Sequence, residues 1–103
     1  MSRDAHVLKG PHGEVRIEGD ALAALVISAA ELVGGARARR PRRGLDVSVA
    51  DGKVHVELEL VARYGTVLPE LARAVQESVT DALRTAAGLT VERVDVAIEE
   101  LDR

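Results

Sequence analysis

Five guanidinium groups crowd into seven positions of this 103-residue chain, at Arg37, Arg39, Arg40, Arg42 and Arg43, with no acid among them. Such a segment attracts anions, whether an acidic protein surface, an anionic lipid or a nucleic-acid backbone. Setting those five aside leaves nine basic residues against seventeen acidic ones, so the segment carries +5 and the remainder −8. The net charge of −3 therefore conceals a molecule in two electrical parts.

The other groups able to do chemistry are scattered. His6, His12 and His55 stand far apart in sequence, and no nucleophile–base–acid set or paired-carboxylate site can be assembled around them. There is no cysteine, which removes disulfides, thiolate metal sites and cysteine nucleophiles and fits a reducing compartment. His55 alternates with Glu57 and Glu59, a spacing able in principle to offer ligands to a divalent ion, but an ordinary polar strand face is the better account of it. No catalytic residue, metal ligand or cofactor is assigned, and the chain reads as a protein that binds and assembles.

The elements that must position these groups follow from hydrophobic period. Residues 1–12 show no sustained pattern and end in a Gly/Pro cluster, so a flexible tail is expected there. Val15 and Ile17 alternate with charges from Glu14 to Glu18, the mark of a strand. Asp20 is placed to cap a helix carrying Ala21, Leu22, Leu25, Val26, Ala29, Leu32 and Val33 on one stripe and stopped by Gly34-Gly35. Residues 34–44 then read as one basic loop. Two alternating runs joined by Asp51-Gly52 predict a hairpin. Thr66 is placed to cap a second helix with Pro69 in its first turn, running to Gly88 over about 30 Å. The last strand spans Val91 to Ile98, and its phase slips near Glu92-Arg93, where a bulge is expected. Tyr64, the only aromatic, continues the inward phase of Leu58, Leu60 and Ala62 and is expected to pack in the core.

Strand, helix, hairpin, helix, strand over residues 13–101 predicts a single α+β domain of βαββαβ, ferredoxin-like order. In this two-layer sandwich an antiparallel four-stranded sheet carries both helices on one face. The open face would then present Glu14, Glu18, Asp46, Glu57, Glu59, Asp95 and Glu99, a self-association surface complementary to the arginine loop of a neighbouring copy. It holds no aromatic residue on which a base could stack, which argues against nucleic-acid binding there.

An ordered set of short motifs gives a further lead. Gly13-Glu14-Val15-Arg16-Ile17, Arg63-Tyr64-Gly65 followed by Leu68-Pro69-Glu70, Val75-Gln76-Glu77-Ser78-Val79, Gly88-Leu89-Thr90-Val91 and Val94-Asp95-Val96 run from about Gly13 to Leu101. Together they resemble the alkaline shock, Gls-type or envelope stress response family. That resemblance implies a non-enzymatic bacterial scaffold or adaptor, cytoplasmic or peripheral to the inner face of the membrane. It would associate with itself and with a membrane-anchored protein. Family members often carry a glycine-rich variable loop where this chain has its arginines, which leaves the partner open. The competing reading is a basic-loop adaptor that binds anionic lipid or nucleic acid without specificity. No leader-like segment and no apolar run of the roughly 18 to 20 residues needed to span a bilayer is expected.

Overall fold

The computed structural model describes residues 4–38 and 45–102. In chain order the elements are β1 (His6–Gly10), β2 (Gly13–Ile17), α1 (Gly19–Glu31), β3 (Ala36–Ala38), β4 (Leu45–Ala50), β5 (Lys53–Arg63), α2 (Leu68–Ala87) and β6 (Thr90–Asp102).

The longest alternating run becomes β5, the strand on which the sheet is built. Val54, Val56, Leu58, Leu60 and Ala62 point to the helices and are buried, while Glu57 and Arg63 are exposed. The Asp51-Gly52 turn, with both residues at positive φ, folds β4 back on β5 so that Val47 stands across from Val56. β3 continues along the same edge of β5, with Ala38 across from Leu60 and Leu45 across from Leu58. Gly35 makes that junction possible. Its φ is +94°, its carbonyl accepts from the Arg63 N–H at 2.7 Å, and a Cβ there would come within 3.0 Å of Thr66 Oγ1.

On the other side of β5 lies β6, parallel to it. The 20-residue α2 spans about 30 Å at 1.5 Å per residue, close to the length of β5, so it returns the chain to the end where β5 began. The strand that follows must then run alongside β5 in the same direction.

The α+β two-layer class holds, with the helices packed over an aliphatic core of which Leu22, Val26, Val47, Val56, Leu60, Val75, Val79 and Leu83 are part. Its interior arrangement differs from the expected βαββαβ sheet in three respects. First, His6–Gly10 is a strand and not a flexible tail, pairing with β2 from His6↔Ile17 to Gly10↔Gly13 in a separate two-stranded sheet. With β2 satisfied by β1, no strand separates β5 from β6, and these two pair directly and in parallel where an antiparallel sheet was expected. Second, the expected loop at 34–44 contains β3, because Ala36 and Ala38 fit the inward face of the sheet edge. Third, neither Asp20 nor Thr66 caps a helix. The N-cap positions are Glu18 and Val67, and neither makes a side-chain cap bond.

The expected bulge is present. Val54 pairs with Val91 and His55 with Arg93, leaving Glu92 as the extra residue, and a second irregularity leaves Glu99 extra between Ile98 and Glu100. Pro69 lies in the first turn of α2, and Gly88 ends that helix in the left-handed conformation.

Candidate functional site

Between its two bulges β6 runs in unbroken register with β5, and this register builds the open face. Asp46 of β4 stands across from Glu57 of β5, and Glu57 stands across from Asp95 of β6. Three carboxylates thus form one row across three strands, an arrangement that costs free energy when like charges sit directly opposite. One step along β5, His55 approaches the end of that row, its Nε2 lying 3.1 Å from Asp95 Oδ2. Arg93, on the same strand, donates from Nε to Asp95 Oδ1 at 3.1 Å. The hydrogen bond with His55, assisted by the hydrogen bond and charge of Arg93 and opposed by partial desolvation, holds the Asp95 carboxyl below its ordinary value of 3.8. Beside the row is a depression of about 390 Å³ lined by Asp46, Glu57, Leu58, Glu59, Asp95, Val96 and Ala97.

Not every residue expected on this face is there. Glu14 and Glu18 belong to β2 and to the start of α1, away from the main sheet, because β2 pairs with β1. Asp46, Glu57, Glu59 and Asp95 are brought together, and Glu99 is exposed at the second bulge. Arg37 sits in β3 across from Val61 and is exposed, so it belongs to the sheet edge and not to a loop. Arg39, Arg40, Arg42 and Arg43 lie outside the described residues. Among the described residues, Ala38 at the end of β3 stands across from Leu60, and Leu45 at the start of β4 stands across from Leu58.

The sequence pairs His55 with Glu57 and Glu59, whereas the structure groups it with Glu57 and Asp95. Asp95 is 40 positions away and joins the group only through the parallel register of β6, which no local spacing reveals. Tyr64 is a further correction. It is 59% exposed, because β5 ends at Arg63 and the chain turns at Tyr64-Gly65, so the inward phase of the strand does not reach it. Leu32, expected on the buried stripe of α1, is 82% exposed beyond the last turn.

The fold resembles that of solved MamM CTD structures. The zinc form aligns with a TM-score of 0.64 at 20% identity over 82% of this chain and 87% of that one. A doubly substituted form gives 0.60 at 21% identity over 82% and 95%, and a copper form 0.57 at 22% identity over 79% and 95%. At such identities the likeness establishes the fold alone. No curated protein matches the chain by sequence. The family model of the alkaline shock protein 23 family, described as having a cell envelope-related function, matches residues 26–103. The chain belongs to that family, as its motifs suggested. Among the described residues no helix is long and apolar enough to cross a membrane.

Proposed function

We propose that this protein is a non-enzymatic scaffold or adaptor of the bacterial cell envelope, assembling with copies of itself and with a membrane-anchored protein from the cytoplasmic side. One observation carries the reading. The acidic row Asp46–Glu57–Asp95 occupies one sheet face, and the same chain carries five arginines between Ala36 and Gly44, of which Arg37 is exposed on the sheet edge, so each molecule brings both an acidic surface and a basic segment. Contact between the segment of one copy and the face of the next is heterologous and repeats, which favours chains over closed dimers. Family membership supports the link to the envelope.

The test is light-scattering mass across a salt series for the native chain and for one with Arg37, Arg39, Arg40, Arg42 and Arg43 changed to Ser. Native assembly at low salt that falls as salt rises, and that the variant lacks, supports the proposal, since exposed charge pairs are screened beyond about 8 Å at physiological ionic strength. A native mass that stays monomeric at every salt overturns the self-assembly. Binding of the native chain, but not the variant, to anionic vesicles or generic nucleic acid would then favour the basic-loop adaptor.

A further inference from the structure

We propose that the open sheet face carries a binding site for a divalent transition metal, with His55, Glu57 and Asp95 as its protein ligands. One ligand atom from each of the three lies within 4.8 Å of the other two. Around a zinc ion, bonds of about 2.0–2.2 Å place neighbouring ligand atoms roughly 3.3 Å apart in a tetrahedron. His55 Nε2 and Asp95 Oδ2 already stand at 3.1 Å, in a hydrogen bond that an ion would replace as the ring gives up its Nε2 proton, and the exposed Glu57 side chain is free to turn toward them.

Three features distinguish this group from a bare acidic patch. The imidazole supplies a nitrogen donor, which shifts preference from magnesium and calcium toward zinc, cobalt, nickel or copper. All three residues are mounted on paired strands, two alternate positions of β5 and the residue directly across on β6, so their backbones are fixed before an ion arrives. Arg93 Nε lies 3.1 Å from both Asp95 oxygens, so it orients the carboxylate from its own strand and would keep Oδ1 while giving up Oδ2 to an ion.

The surroundings also suit an ion. Two of the three ligands, Glu57 and Asp95, border the open depression that Ala97 also lines, so the carboxylates stand where water can reach them. Asp46, across from Glu57, adds a second-neighbour negative charge. A divalent cation here would offset the repulsion within the Asp46–Glu57–Asp95 row.

The experiment uses the full chain after treatment with chelator. It is titrated with zinc by calorimetry and with cobalt(II) by visible absorption, while NMR follows the ring nitrogens of His55. The expected result is one ion per chain, a raised Tm with zinc, a shift of the His55 ring nitrogens on binding, and affinity at least about tenfold weaker in His55→Ala and Asp95→Asn. A His6→Gln/His12→Gln variant should bind as the native chain does. No uptake of either metal, unchanged affinity in His55→Ala, or a His55 ring signal unmoved by saturating zinc would each overturn the proposal. Far-ultraviolet circular dichroism confirms that the variants are folded, as expected for side chains that are more than one-third exposed at positions 55 and 95.

Discussion

Ser78 Oγ on α2 donates a 2.6 Å hydrogen bond to the backbone carbonyl of Ala29 on α1. Two residues earlier on α2, Gln76 Nε2 donates to the Val94 carbonyl of β6 at 3.0 Å. Both polar side chains belong to the Val75–Val79 motif, whose two valines are buried in the core between them. The motif therefore ties α2 sideways to α1 and downward to β6, which fixes the helix layer over the sheet that presents Asp95.

From this geometry Ser78→Ala should lower stability by about 1 kcal/mol, the ordinary net worth of one such hydrogen bond. The midpoint of urea unfolding should fall while its slope stays constant. An unchanged midpoint would mean that the Ala29 carbonyl is satisfied equally well without Ser78.

Gly88 ends α2 at φ 68° and ψ 22°. Its N–H reaches the Arg84 carbonyl at 3.2 Å, while Leu89 N–H reaches the Leu83 carbonyl at 3.2 Å, a 6→1 closure that delivers the buried Leu89 onto the core. A Cβ at Gly88 would touch nothing within 4 Å, so the cost of Gly88→Ala is purely conformational, about 1–2 kcal/mol. Gly88→Asn should lose less, because Asn tolerates this region better. Equal thermal midpoints for the Ala and Asn variants would count against a backbone cause.

These two cases show what was legible in the sequence. The stop at Gly88, the Asp-Gly hairpin, the second helix and the bulge near Glu92 each follow from local pattern, and each is present. The partner of β2 is a different matter, because Val15 and Ile17 alternate whether they pair with β1 or with the main sheet. That choice moved Glu14 and Glu18 off the acidic face and put β6 beside β5. Asp95 joined His55 as a result, and no single stretch of sequence contains that juxtaposition.

His6 marks where the N-terminal segment meets the body. Asp4 lies along the outer edge of β4, its N–H reaching the Val47 carbonyl at 2.9 Å and its Oδ2 accepting from the Val49 N–H at 3.0 Å. His6 follows at 6% exposure, and its Nε2 has no hydrogen-bond partner among the described residues. A buried polar atom left unsatisfied costs about 1–3 kcal/mol, so His6→Leu should hold or raise the urea midpoint. A clear fall would mean that a water or another group satisfies the ring.

The Asp95 carboxyl gives the molecule a defined acid response when metal is kept away by chelator. The hydrogen bond with His55, then that of Arg93, lowers its folded-state value below 3.8, so the ionised form is favoured by folding. A depressed carboxyl contributes stability that is fully present above its unfolded value and is lost as pH falls through the lower folded value. Native protein should therefore exceed Asp95→Asn in urea midpoint at about pH 5. The gap should close as pH drops below 3.8 and should vanish once Asp95 is protonated in both states. A gap that persisted unchanged at about pH 2 would show that the substitution acts through packing or a new contact of the amide, and not through the charge that His55 and Arg93 stabilise.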